Sequence, residues 1–471
     1  SALRILVDTP NSEQTLQVSV ATMGRVLAEV DWDHISRGNP DSWLYFYEGF
    51  LQVYDTDLRK KTGSYYTPPQ VTASMVRLVD EALTTHLRRP AGLADTGVTC
   101  LDPAMGSGAF VLEIVRRIAT ATAADQGPGA VAPALKETLA RLIGFELQLG
   151  PFAVTQLRLL AELAEFGVTD AGPQDLRTYI TNTLDDPFVE ETTLGTWYQP
   201  ITDARRAANQ VKATEQVLVV TGNPPYKDKS RGKGGWIEHG AEGYPVPLQQ
   251  FMPDPEWGVG AHSKHLYNAY VYFWRWATWK VFDSSPADSE GIVCFITVAG
   301  FLNGPGFEGM RRYLRRNCDE IWIIDCSPEG FRPAVNTRVF EDMKHEVCIT
   351  LALRSKAADP NTPATVRYRQ LAAGLRTEKF AELATIRLDD QGWERCGDAW
   401  RAPFLPAATD TWSSYLALDD VFLYNGSGTM PGRTWIIDVD ADYLEKRWDI
   451  LVNTHDRERK RVLFNEHRTD R

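Results

Sequence analysis

Apolar positions change their period along this chain. From Glu13 to Val30, the residues Leu16, Val20, Met23, Val26, Leu27 and Val30 recur at three- and four-residue steps, which predicts an amphipathic helix. Residues 1–62 read as a helical N-terminal lobe, with the cluster Trp43, Tyr45, Phe46, Tyr47, Phe50 and Leu51 packing it against the next domain. From Thr99 onward, short apolar runs alternate with helical stretches, the signature of a parallel sheet wrapped by helices. Strands are expected to end at 99–101, 143–146 and 178–184, and to cover 216–221, 291–298, 321–326 and 345–353; helices are expected over 109–122, 134–142, 151–166, 267–282 and 309–316. A linker rich in Ala, Asp, Pro and Thr, Lys356 to Ala364, closes a catalytic domain of residues 63–355. Beyond it, residues 365–471 are turn-rich and aromatic, with Tyr424 to Gly428 and Pro431-Gly432 punctuating short β segments, and the chain runs out in the basic stretch Arg457 to Arg471 without a further element.

Composition narrows the class without choosing a function. Hydrophobic residues are 43% and charged residues 24% of the 471, ordinary globular usage that excludes wholesale disorder. The most apolar stretch, Tyr267 to Phe282, is broken by Arg275 and Lys280, so no membrane span is expected. Ser1 to Pro10 lack a secretory signal, and the six scattered cysteines read as free buried thiols, which together suggest the cytoplasm. His262 and His265 stand without a carboxylate or thiol companion, so no metal site is expected. The net charge of −12 argues against a surface that is basic throughout and leaves room for a local basic groove.

Two loops carry candidate chemistry. Asp102-Pro103-Ala104-Met105-Gly106-Ser107-Gly108 lies between a strand and a helix, in the turn where doubly wound folds hold nucleotides. Val111 stands where a dinucleotide fingerprint wants glycine or alanine, which disfavours NAD. Glu146 ends the next strand, where a carboxylate can accept both hydroxyls of a ribose; charge at a helix N-terminus is its other reading. Asn223-Pro224-Pro225-Tyr226 follows the strand 216–221. Consecutive prolines must end that strand in a stiff corner. The Asn223 side-chain oxygen and the Pro224 carbonyl can accept two hydrogens of a planar amine while Tyr226 stacks on its ring, although an ordinary turn has the same composition.

In order, Gly63 to Pro68, Asp102 to Phe110, Gly144 to Glu146 and Asn223 to Tyr226 resemble the motifs of the gamma-class amino-methyltransferases of DNA. Phe46-Tyr47-Glu48, Tyr54-Asp55, Lys264 to Asn268 and Gly432 to Ile437 bring the resemblance closer, to the methyltransferase region of single-polypeptide type I (type ISP) restriction-modification enzymes and related phage-defence methylases. The resemblance implies an α/β fold: the Rossmann-like, doubly wound, mostly parallel sheet of class I S-adenosylmethionine-dependent methyltransferases, with a helical N-terminal lobe and a β-rich C-terminal region that is a partial target-recognition domain. It implies S-adenosylmethionine as cofactor, with Tyr66, Thr67 and Pro68 at its methionine end, Asp102, Ala104, Gly106 and Gly108 around its amino acid moiety, and Glu146 on its ribose. Asn182 stands where such enzymes often carry an aspartate toward the cofactor's adenine. Asn223, Pro224, Pro225 and Tyr226 become catalytic, acting on the exocyclic amine of an adenine flipped out of double-stranded DNA. Phe340 falls where the family has an aromatic on the flipped base, with core packing as its alternative. Nuclease or helicase regions of a longer polypeptide, or partner defence proteins, are the implied associates.

Lys227, Lys229, Arg231 and Lys233, interleaved with glycines and Ser230, form a basic loop directly after the corner, read as mobile and placed for phosphates. Arg311, Arg312, Arg315 and Arg316 share a helix and read as a solvated face, and the aromatic segment Tyr267 to Phe282 as core. A protein-glutamine methyltransferase and a silent cofactor-binding subunit remain as alternatives.

Overall fold

The computed structural model describes residues 67–189, 199–284, 289–330, 337–340, 345–355, 359–407, 415, 416, 421 and 436–464. The expected N-terminal lobe, Tyr66 and the turn-rich segment 424–432 lie outside the described residues. Among the described residues nine strands form one sheet: β1 (Cys100–Asp102), β2 (Leu142–Glu146), β3 (Arg177–Ile180), β4 (Val219–Gly222), β5 (Gly291–Val298), β6 (Glu320–Asp325), β7 (Val347–Arg354), β8 (Thr365–Gln370) and β9 (Glu394–Arg395), in the order 3-2-1-4-5-7-6-8-9. Strands β1 to β5 are mutually parallel, β7 is antiparallel to both β5 and β6, and β6 therefore runs the same way as β1. The doubly wound, mostly parallel sheet expected from the sequence is present. Its strand order reverses between β1 and β4, and the crevice outside the carboxyl ends at such a switch point is where open α/β sheets take ligands.

Helices follow from the apolar spacing. α1 (Pro69–Thr85) begins with a proline, whose missing N–H costs nothing in a first turn. α2 (Ala109–Gln126) buries Phe110, Ile114, Val115 and Ile118 and ends at Gly127, whose φ of +88° terminates it. Then come α3 (Val131–Leu139), α4 (Leu149–Glu165), α5 (Gln199–Thr214) and the short α6 (Gly235–His239). The aromatic stretch forms α7 (Ala269–Thr278), buried from Tyr270 to Trp276, and closes in a π turn at Trp279–Asp283, shorter than the expected helix. α8 (Glu308–Asn317) and α9 (Arg376–Thr385) follow. Among the described residues no helix is long and apolar enough to cross a membrane.

Three expectations change. Arg311 and Arg315 are buried: Arg311 donates to the carbonyls of Phe301 (3.0 Å) and Gly304 (2.8 Å), and Arg315 to those of Ala402 and Gly397 (both 2.8 Å), so one half of the supposed solvated face stitches irregular backbone to α8. Such carbonyls have no ladder partner, and a guanidinium fork supplies donors for several at once. The segment 356–364 fails to separate domains, because β8 beyond it pairs in parallel with β6 over six residues, Glu320 with Thr365 through Asp325 with Gln370; the chain divides after Ala407 instead. In the second unit the described elements are the helices α10 (Ala441–Asn453) and α11 (Arg457–Phe464), the latter in the basic stretch expected to hold no further element.

Candidate active site

Three loops meet the carboxyl edge at the switch point. After β1 the chain turns through Asp102 to Gly108, and Gly108, at φ +90°, lets α2 start with Thr155 of α4 tight against its backbone; a Cβ there would lie 2.9 Å from Thr155 Cγ2. Thr155 Oγ1 donates to the Gly106 carbonyl at 2.7 Å, and Arg158 of α4 to that of Ser107 at 2.6 Å, so the loop is braced from behind. Gly106 has φ +54° and opens onto free space where a side chain would stand.

Glu146, at the end of β2, accepts from Gly106 N (2.9 Å) with one carboxylate oxygen and from Gln148 N (2.8 Å) with the other. Each oxygen keeps capacity for a further donor. Burial raises its pKa, opposed by these amide bonds. Asp102 is 2% exposed; its Oδ1 accepts from Ala104 N at 3.0 Å and its Oδ2 has no hydrogen-bond partner. Burial, only partly offset by the Ala104 bond and reinforced by Glu146, pushes its carboxyl up to about 8. A buried carboxylate oxygen lacking a donor, beside an open glycine cradle and a second carboxylate one strand away, fits a ligand that brings an ammonium group and hydroxyls. The amino acid and ribose ends of S-adenosylmethionine have those groups.

After β4, Asn223 to Tyr226 form the stiff corner. Asn223 Nδ2 donates to Thr67 Oγ1 at 2.9 Å, which turns the amide's oxygen end away from Thr67. Thr67 is buried one residue before the proline-led entry to α1, so its side chain reaches across to orient the corner. Tyr226 is buried, with its hydroxyl donating to the Ile296 carbonyl of β5 at 2.9 Å. Phe340, itself buried, meets the Tyr226 ring edge-on with centroids 6.2 Å apart. Phe340 is thus packed in the core, and packed on the corner.

Asn182 sits at the end of β3 with its side chain engaged in its own turn: Oδ1 accepts from Leu184 N (3.2 Å) and Nδ2 donates to Asp185 (2.7 Å). The buried Lys212 of α5 donates to Thr181 Oγ1 and to the Asn182 carbonyl, both at 2.7 Å. Sequence reasoning missed Lys212; the available signal was a lysine on the apolar stripe of an amphipathic helix, next to Ala208 and Val211, both buried.

The basic loop read as mobile is tied down. Glu238 of α6 accepts from Gly232 N (2.8 Å), Gly234 N (3.1 Å) and Tyr272 Oη (2.8 Å); Ser230 N donates to the Tyr267 carbonyl (2.7 Å) and Lys229 N to Asn268 Oδ1 (3.0 Å). Lys229, at φ +51°, Arg231 and Lys233 remain exposed, Lys227 is half-buried, and Arg231 lies over the Tyr267 ring.

Residues 40–238 match the model of the N-6 DNA Methylase family. The chain is similar in structure to a protein solved as the DrdV–DNA complex (21% identity, TM-score 0.61, covering 84% of this chain and 36% of that one). It is similar also to the ATP-dependent type ISP restriction-modification enzyme LlaBIII bound to DNA (19%, 0.62, 77% and 24%) and to a nuclease-deletion mutant of the type ISP enzyme LlaGI with a DNA substrate mimic (17%, 0.58, 85% and 32%). The chain thus spans between about a quarter and about a third of the length of these proteins. A search of curated proteins gave no match.

Proposed function

We propose that this chain methylates the exocyclic amine of adenine in DNA, using S-adenosylmethionine, as the modification part of a restriction-modification or phage-defence system in the cytoplasm, a reading supported by the match of residues 40–238 to the N-6 DNA Methylase model. The observation that carries the reading is the Asn223 corner: its amide nitrogen is committed to Thr67, one strand away from the pocket formed by Asp102, Gly106 and Glu146. When bound, S-adenosylmethionine supplies an electrophilic methyl on a sulfonium.

The chain's own residues supply orientation and charge stabilisation. Asp102 offers a carboxylate oxygen to the ligand's ammonium, Glu146 accepts ribose hydroxyls, and the turn at Asn182, held by Lys212, borders the adenine end. Adenine's amine is a poor nucleophile because its lone pair is delocalised into the ring. The Asn223 oxygen and the Pro224 carbonyl accept its two hydrogens, favouring the pyramidal, positively charged nitrogen of the transition state. Tyr226 and Phe340 form an apolar wall for a base that has left the duplex. Lys227, Lys229, Arg231 and Lys233 meet phosphate. Double-stranded DNA is the proposed partner, and nuclease or helicase regions, in one longer polypeptide or in partner defence proteins, are the proposed associates.

Transfer of labelled methyl from S-adenosylmethionine to unmodified, adenine-containing duplex DNA tests this. Label that appears in protein glutamine, or in neither, refutes it.

A further inference from the structure

Beside the Tyr226–Phe340 pair lies a cation that the foregoing reading leaves unused. Residues 337–340 lead toward β7 along the carboxyl edge of the sheet, the edge at which β4 delivers Asn223. Val339 and Phe340 are buried, Phe340 against Tyr226, and Arg376 Nε of α9 donates to the Arg338 carbonyl at 2.8 Å, so the backbone of this short segment is fixed from two sides. Five positions after Phe340, His345 lies 3.7 Å from Asp228, two residues beyond Tyr226.

Arg338 is 3% exposed and donates through Nη2 to the Gly330 carbonyl. Its Nε and Nη1 have no hydrogen-bond partner among the described residues, and neither does Oγ1 of the adjacent Thr337, which is 9% exposed. Glu329, beside the Gly330 whose carbonyl accepts from Arg338, is itself bound to Lys379 at 2.7 Å. A guanidinium has five donors and a permanent charge. Withdrawn from water with two donor atoms unmatched, it is poorly accommodated by the protein alone. Nε and one Nη along an edge of the guanidinium plane present parallel N–H groups, the fork that suits two oxygens of a phosphate.

We propose that Arg338 and Thr337 form an anion site that takes a backbone phosphate of the DNA strand carrying the target base. Arg338 gives two charge-assisted hydrogen bonds and Thr337 one from its hydroxyl. The site rests on the reading of the Asn223 corner as an adenine pocket, and it adds a phosphate contact on the Phe340 side to those of the basic loop that follows Tyr226. Phosphate contacts of this kind position the substrate without reading its sequence.

The test uses the full chain, S-adenosylmethionine and two DNA probes, an unmodified mixed-sequence duplex and an adenine-containing single strand. Binding is followed by fluorescence anisotropy across a salt titration, and methyl transfer is measured beside it. Arg338→Gln should weaken binding to both probes about tenfold at physiological salt and reduce the slope of log affinity against log salt by about one. Thr337→Val should weaken binding less and leave the slope unchanged. Cofactor affinity and melting temperature should stay at wild-type values in both. A folded Arg338→Gln protein with wild-type DNA affinity and slope overturns the site. Should that variant fail to fold, Arg338→Lys decides: affinity lost with the slope retained supports the fork geometry, and unchanged affinity overturns it. A wild-type chain that neither binds nor methylates DNA removes the adenine-pocket reading and this site with it, whereas methylation unaffected by Arg338→Gln removes the site alone.

Discussion

Thr67→Val isolates the contact that orients the proposed catalytic amide. The substitution keeps the branched shape in a buried position and deletes the oxygen that receives Asn223 Nδ2 at 2.9 Å. Loss of an acceptor for a shielded donor costs about 1–3 kcal/mol. If the amide is held for the transition state, that cost falls on kcat, and at about 1.4 kcal/mol per factor of ten the rate should drop roughly 5- to 150-fold. Thr67→Ser keeps the hydroxyl and should recover most of the rate. The sequence resemblance assigned Thr67 to the cofactor's methionine end, and the two roles separate in one experiment. Single-turnover methyl transfer reports the chemical step, and calorimetry with S-adenosylmethionine reports binding. A fall in cofactor affinity as large as the fall in rate would return Thr67 to the cofactor, and a rate within twofold of wild type would refute the orienting role.

Lys212→Met should remove both donors to Thr181 and Asn182 and lower stability by about 1–3 kcal/mol, together with weaker cofactor binding; an unaltered urea midpoint and affinity would show that the turn holds itself. Asp102 has its carboxyl raised to about 8 from an unfolded value near 3.9. Between those values the folded state holds a proton that the unfolded state has lost, so stability of the cofactor-free chain should fall as pH rises, by up to about 1.4 kcal/mol per unit. Asp102→Asn should flatten that slope, and parallel urea midpoints for the two proteins from pH 5 to 8 would contradict the assignment. Glu238→Gln weakens the acceptor shared by Gly232 N, Gly234 N and Tyr272 Oη; amide exchange at 232–234 should quicken and DNA affinity fall, and unchanged exchange would show that the loop keeps its shape without the carboxylate.

The sheet was legible because its strands are short apolar runs set at regular distances between amphipathic helices. β5 was read to the residue, Gly291–Val298, since the strand is buried on both faces, preceded by polar sequence and followed by Ala299-Gly300. The loops at Asp102 and Asn223 were legible through glycines and prolines, which restrict backbone geometry locally. What eluded the sequence depends on pairs distant in the chain. Nothing near Thr67 announces that it bonds Asn223, 156 positions away. A Cβ on Gly222 would stand 2.7 Å from Asp102 Oδ1, so its smallness is set by a residue on the neighbouring strand. Arg311 and Arg315 were misjudged because charge on a helix is usually solvated, and the carbonyls that bury them come from other segments. The segment 356–364 misled because Pro and Asp mark any sharp turn, including one that leads into the next strand of the same sheet.

That last point bears on dissecting the protein. Ending the chain near 355, where composition suggests a boundary, would strip β8 from β6 and leave Ile321, Trp322, Ile323 and Ile324 along an open strand edge. It would also take away the Arg77 and Glu81 contacts that α1 makes to Leu383 and Leu388. A bare apolar edge recruits whatever strand comes near, most readily another copy of itself. A shortened catalytic core intended for crystallisation or for grafting onto a new recognition module would therefore aggregate, whereas cutting after Ala407 keeps the sheet closed by its own short, charged ninth strand.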